Sequence, residues 1–187
     1  PSTTLAQDDA GIGVKNGINA FGSKNFLGAF AVPWAVVNDR RFLGTQSLRD
    51  RRAGVSEAIK VGLLKDAAFV DAIAARAAAL AAGDLEALEP VVRRSAELHL
   101  EHIARGGDPF ELEIARPLDF GHWSAHRLER MTDFTVRHGE AVSIGIAIDL
   151  AYAVRIGRLD AAEAARLTSL LEACGLPARH PALGRTD

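Results

Sequence analysis

Gly54-Val-Ser-Glu-Ala-Ile-Lys-Val-Gly62 is the stretch on which the reading of this chain turns. It lies in a region, beginning after Thr45, where Ala, Leu, Glu and Arg dominate and apolar residues recur at spacings of three and four, the period of an amphipathic helix. Glu57 and Lys60 stand three apart, so on a helix they share one face, and the residues around them are apolar. At a surface such a pair is an ordinary ion pair of small worth. Buried beside a metal, the same pair becomes a ligand and a fixed cation facing a substrate.

Working outward, the periodicity predicts helices at about 47–65, 67–82, 84–105, 121–132, 138–157 and 160–174. Capping chemistry supports these bounds: Asp84 precedes Ala87 and Leu88, Asp160 is followed by Glu163, and Gly83 and Gly175 act as stops. Before Asn38 the chain is rich in Gly and Asn, with apolar runs at Thr4 to Ala6 and Ala29 to Val37, read as short strands among loops. Pro33 places the second run at an edge, because proline removes a ladder donor. The expectation is a mainly α fold, with a loop and short-strand segment at 1–45 and a helical domain at 46–187. Residues 106–120 interrupt the helices with two glycines and two prolines and deliver the chain to His122.

The chain has 187 residues, enough for one domain with a real core. Its 22 basic and 24 acidic side chains form no long block of one sign, so nothing points to nucleic acid or an anionic membrane surface. Cys174 is the only cysteine, which excludes an internal disulfide and a cysteine-rich zinc knuckle and fits a reducing cytoplasm. The longest apolar runs, Ala77 to Ala82 and Val142 to Ile148, fall far short of the roughly 20 residues of a membrane span.

Chemistry concentrates in the histidines. Six are present, among them His99, His102, His122, His126 and His138. His122 and His126, four apart, could grip one metal from a helix face, although the Glu of a metalloprotease H-E-x-x-H is missing. His138 opens a helix as His-Gly-Glu, where the helix dipole disfavours the cation and so favours the neutral, metal-binding ring. Upstream, Asp9-Ala-Gly-Ile-Gly-Val-Lys-Asn-Gly-Ile-Asn19 and Gly22-Ser-Lys-Asn25 interleave glycines with Lys and Asn, a cradle suited to a phosphate or polyol or a plain cluster of turns. It is neither a Walker A loop nor a dinucleotide fingerprint.

Taken in order, Pro1-Ser-Thr-Thr-Leu-Ala6, Asp9 through Lys15 to Asn19, Lys24-Asn25-Phe-Leu-Gly-Ala-Phe30, Gly54 to Gly62, Asp119-Phe-Gly-His122 and His138-Gly-Glu-Ala-Val142 resemble 3-dehydroquinate synthase and its sugar phosphate cyclase relatives, from Pro1 to about Pro177. The resemblance implies a catalytic divalent metal, Zn2+ or Co2+, held by Glu57, His122 and His138, which overrides the pairing of His122 with His126. It places His126 at the substrate as an aid to proton transfer, and Lys60, Lys15, Asp9, Lys24 and Asn25 along the substrate and phosphate site. It also implies NAD, used and returned within a cycle of oxidation, phosphate elimination, reduction and intramolecular aldol closure of a phosphorylated sugar. The Rossmann-like domain that would bind most of the NAD lies outside this chain, so the chain alone is expected to be inactive. A homodimer in the cytoplasm completes the implied picture.

Two departures bear on substrate. The family's Glu-Leu-Lys is Glu97-Leu98-His99 here, and the surroundings of the metal histidine become Ala115-Arg116-Pro117 and Asp119. Asp119 would repel a substrate carboxylate, by several kcal/mol where screening is poor, while Arg116 could bind one from a new direction. A carboxylate-free sugar phosphate is therefore expected. A metal-dependent polyol dehydrogenase and a non-catalytic helical module are the alternatives.

Overall fold

The computed structural model describes residues 1–14, 16–21, 23–106 and 117–184, with the backbone alone at 19 and 23–25. The fold is mainly α. Among the described residues seven α-helices carry it: α1 (Leu48–Lys65), α2 (Ala67–Ala74), α3 (Ala77–Ala82), α4 (Leu85–Arg105), α5 (His122–Met131), α6 (His138–Arg155) and α7 (Ala161–Ala173). Side-chain caps set several of the starts. Ser47, Asp66, Asp84 and Asp160 accept the backbone N–H groups of Asp50, Phe69, Ala87 and Ala162 at 3.2, 3.1, 2.8 and 2.8 Å, satisfying donors that a first turn leaves open.

The predicted helix 67–82 is two helices. At Arg76 the backbone leaves helical geometry (φ −112°, ψ 3°) and the chain restarts as α3, and both Ile73 and Leu80 are buried in the core. An alanine-rich run favours helix at every position, so nothing in its composition locates the break, and packing decides it.

α1 is the axis of the domain. It packs against α2, α4, α6 and a π-helical turn at Ala6–Ala10, and every residue from Ala53 to Gly62 is buried. A helix covered all round belongs to the middle of a core, and the single apolar face anticipated for it is not what forms. Ile59 of α1 shares one core with Ile73, Leu88, Leu128, Ile144 and Leu171 of the other helices. Burying each such side chain contributes about 1.5–3 kcal/mol.

The two strands lie elsewhere than the apolar runs suggested. β1 (Gly17–Ala20) and β2 (Ser23–Gly28) form an antiparallel hairpin, pairing Gly17 with Gly28 and Ile18 with Leu27. Thr4 to Ala6 instead leads into the π-helical turn, tied down where Gln46 Oε1 accepts the Thr4 N–H at 3.0 Å and the Asp39 carbonyl accepts from Gln7 Nε2 at 2.9 Å. Ala29 to Val37 is irregular, with Val32, Trp34 and Val37 exposed. The chain there runs past the end of a two-stranded sheet, and Pro33 lacks the donor a third strand would need. No helix among the described residues is long and apolar enough to cross a membrane.

Candidate metal centre

Glu57 and Lys60 sit near the middle of α1, and both side chains are 2% exposed. Lys60 Nζ stands 2.5 Å from Glu57 Oε2 and 3.0 Å from Asp9 Oδ2, which the π-helical turn presses against α1. Burial on its own would lower the Lys60 pKa, but Asp9 and Glu57 outweigh it and raise it, so the ammonium stays charged. Burial likewise pushes the Glu57 carboxyl up. Lys60, then His122 and His138, reverse that and hold it well below the usual carboxylate range.

The other oxygen of Glu57 faces two imidazoles. Oε1 lies 3.5 Å from His122 Nε2 and 3.4 Å from His138 Nε2. Each histidine is the first residue of its helix, α5 and α6 respectively. Gly121, just ahead of His122, turns the chain at φ +76°, a conformation that favours glycine. Its N–H donates to Asp149 Oδ2 on α6 at 2.6 Å, and Trp123 Nε1 donates to Asp149 Oδ1 at 3.3 Å, so one carboxylate fixes the start of α5. His122 Nδ1 faces its own turn, 3.1 Å from the Phe120 carbonyl, which accepts an N–H there and leaves Nε2 as the free nitrogen. Gly139 does the equivalent work for His138: a Cβ there would fall 1.9 Å from the Ala53 carbonyl oxygen, so only glycine lets α6 approach α1 this closely.

Donor atoms of Glu57, His122 and His138 lie within 4.8 Å of one another, and the two distances from Glu57 Oε1 match the spacing of ligands around one small cation. Ligands bound at about 2.0–2.1 Å in tetrahedral array stand about 3.3 Å apart, beside the 3.4 and 3.5 Å seen here. One carboxylate and two imidazoles suit zinc or cobalt, and three protein ligands leave a position open. The charges agree, since Asp9, Lys60 and Glu57 together carry a net negative charge that a dication would compensate. His126, Glu129 and His138 form a second group of close donor atoms that shares His138. Within it, Glu129 Oε2 lies 3.2 Å from His138 Nδ1, the ring nitrogen other than the one that faces Glu57.

The remaining expected residues divide. His126 stacks on His138, ring centroids 5.8 Å apart and planes at 22°, and lies edge-on to His122 at 5.5 Å. His99, buried on α4, reaches Asp9 Oδ1 with Nε2 at 3.5 Å. Asp119 closes the 3-10 turn Pro117–Asp119, three residues before His122. Lys24 and Asn25 belong to β2 by backbone. Their side chains, and the whole of Lys15 and Arg116, lie outside the described residues.

Glu129, Asp149 and Asp8 join the site without being among the residues the sequence points to. Glu129 had a signal, being seven residues after His122 and three after His126 on one helix face. Asp8 had none. It is 1% exposed, and neither carboxylate oxygen has a hydrogen-bond partner among the described residues. Burial foremost, then the charges of Asp9 and Glu57, push its carboxyl well above the usual range.

Comparison with known proteins agrees with this architecture. The 3-dehydroquinate synthase C-terminal family matches residues 54–186, and the corresponding N-terminal family matches residues 1–53. A 3-dehydroquinate synthase from Ruegeria pomeroyi is 40% identical over 178 residues, which is 94% of this chain and 48% of that protein. One from Halorhodospira halophila is 41% identical over 184 residues, 98% of this chain and 51% of that protein. The chain thus spans about half the length of the curated relatives it matches. Among solved structures, a 2-epi-5-epi-valiolone synthase from Streptomyces hygroscopicus subsp. jinggangensis, with NAD+ and Zn2+ bound, superposes with a TM-score of 0.87 at 33% identity, over 97% of this chain and 50% of that one. A 2-deoxy-scyllo-inosose synthase complexed with carbaglucose-6-phosphate, NAD+ and Co2+ superposes at 0.81 over 100% of this chain and 50% of that one. At 20% identity its likeness is one of fold.

Proposed function

The chain belongs to the 3-dehydroquinate synthase family, and from that premise we propose that it is the metal-holding part of an NAD- and metal-dependent sugar phosphate cyclase, with Glu57, His122 and His138 as the ligands. The observation that carries this reading is the convergence of Glu57 Oε1 and two imidazole Nε2 atoms at 3.4 and 3.5 Å. The relative that superposes at 33% identity holds NAD+ and Zn2+. When bound, the cation supplies Lewis acidity to substrate oxygens and NAD supplies a transient oxidation.

The protein's own residues then bind and orient. Lys60, kept charged by Asp9 and Glu57, presents a fixed cation to a phosphate or an oxygen gaining negative charge. His126, stacked against His138, is positioned to move a proton at a substrate hydroxyl. Asp9 orients a sugar hydroxyl, and Lys15, Lys24 and Asn25 take the phosphate by their match to the family motif. Phosphate elimination and intramolecular aldol closure make the reaction a carbon–oxygen lyase reaction. It belongs to the whole protein, acting as a homodimer and including the NAD-binding portion.

The substrate we assign is a sugar phosphate without a carboxylate. His99, standing where the synthases place a lysine, is turned toward Asp9 at 3.5 Å, and Asp119 adds negative charge three residues before His122 in the chain. The two curated relatives near 40% identity favour the carboxylate-bearing dehydroquinate precursor. His99 in place of that lysine, with Asp119 close to His122 in the chain, supports a substrate without a carboxylate, because an anion is disfavoured where negative charge stands in place of a cation.

Metal analysis after exhaustive dialysis tests the centre. One zinc or cobalt per chain is expected, and it should be lost from His122→Ala and His138→Ala. Metal-free protein whose stability does not change when zinc is added would overturn the reading. Phosphate release by the full-length protein from ketose phosphates with and without a carboxylate tests the substrate class, and turnover of the carboxylate-bearing one at the rate of true synthases would overturn that part.

A further inference from the structure

His138 is held between two carboxylates. Its Nε2 faces Glu57 Oε1 at 3.4 Å, and its Nδ1 faces Glu129 Oε2 at 3.2 Å. We infer that Glu129 is a positioning residue for the metal centre: it accepts the Nδ1–H of His138, fixing the ring's tautomer and rotation so that the Nε2 lone pair points at the cation. The inference rests on the metal assignment to Glu57, His122 and His138 and goes beyond it, since Glu129 is not among those ligands.

A neutral imidazole carries one N–H, so one nitrogen donates while the other offers its lone pair. With Nε2 committed to the cation beside Glu57, the N–H must sit on Nδ1, and the acceptor within reach there is Glu129. The carboxylate is well placed to hold the ring, since Glu129 is only 8% exposed and comes from rigid α5. Spacing places it. His122, His126 and Glu129 follow at intervals of four and three, so one face of α5 presents to α6 a ligand, a substrate histidine and a carboxylate. The two metal histidines are thereby oriented by different means, His122 by its own Phe120 carbonyl and His138 by a charged side chain from the neighbouring helix. Such outer carboxylates raise ligand basicity as well as fixing orientation.

The experiment is metal competition against a chromophoric chelator, using zinc and the purified protein, with Glu129→Gln and Glu129→Ala beside wild type. Glu129→Gln keeps the shape and removes the charge, so it carries the test if Glu129→Ala does not fold. Expected is one zinc per chain in all three, with affinity about 10–100-fold weaker in the variants, and metal-free Glu129→Gln melting within error of metal-free wild type. A side-chain 15N spectrum should show His138 protonated at Nδ1 in the zinc-loaded wild type. Affinity unchanged in Glu129→Gln would overturn the role of Glu129 while leaving the metal site standing. Two zinc ions in wild type and one in Glu129→Gln would overturn it too, making Glu129 a ligand of a second ion. Wild type that takes up no zinc would instead overturn the metal assignment itself.

Discussion

Lys60 Nζ lies 2.5 Å from Glu57 Oε2 in the interior of α1, an ion pair with both side chains at 2% exposure. Charges buried this deeply depend on one another, because removing either partner strands the other without solvent. Lys60→Met in the metal-free protein should therefore lose about 3–5 kcal/mol, read as a fall in the urea midpoint. Added zinc should restore part of that loss by replacing the missing positive charge. A metal-free Lys60→Met midpoint equal to wild type would contradict this account.

Acid stability should carry the signature of Glu57. Burial alone would raise its carboxyl, but Lys60, His122 and His138 hold it well below its ordinary 4.5. A carboxyl depressed on folding adds stability that is present above the unfolded value and is lost as pH falls through the folded one. Metal-free protein should thus weaken below about pH 4.5, and Glu57→Gln should flatten that part of the curve. The check is the unfolding free energy of both proteins across the acid range.

Asp8 should act with the opposite sign. Its raised carboxyl contributes stability that is fully present below the ordinary value of 3.8 and lost as pH climbs through the folded value. Asp8→Val removes two buried oxygens that have no partner among the described residues and should stabilise the protein near neutrality by about 1–3 kcal/mol. The gain should shrink toward low pH. Urea midpoints at acidic and neutral pH distinguish this from a packing effect, which would persist at both.

Gly139→Ala should separate α6 from α1. Its Cβ would meet the Ala53 carbonyl oxygen at 1.9 Å, and backbone cannot yield as a side-chain tip can. Destabilisation of about 3 kcal/mol, the upper end of the usual cost of overpacking, is expected, together with weaker zinc binding, because the same displacement carries His138 away from Glu57. Thermal melts and zinc titration of the variant provide the check.

Much of this was legible in sequence, for identifiable reasons. Asp84, Asp160, Gly83 and Gly175 mark helix ends because caps are local chemistry, and the observed helices begin or end beside them. The break in 67–82 was not legible, since Ile73 and Leu80 find their places only against the rest of the core. The apolar run Ala29 to Val37 looked like a strand because hydrophobicity says nothing of whether a partner strand exists. At the site, the convergence of Glu57, His122 and His138 from three helices is invisible to spacing and came from the order of motifs. The buried state of Asp8 depends on where α1 and α4 cover the π-helical turn, and no local pattern encodes that.

The complete burial of α1 from Ala53 to Gly62 limits how this protein can diversify. Glu57 and Lys60 belong to the same helix that the other elements pack upon, so a mutation that retunes them is also tested by folding. Change is freer at the margin of the network, at Asp119 on its short turn. Variation among related chains is accordingly expected at such outer positions, with the inner charges of Glu57 and Lys60 held constant by the core they help to build.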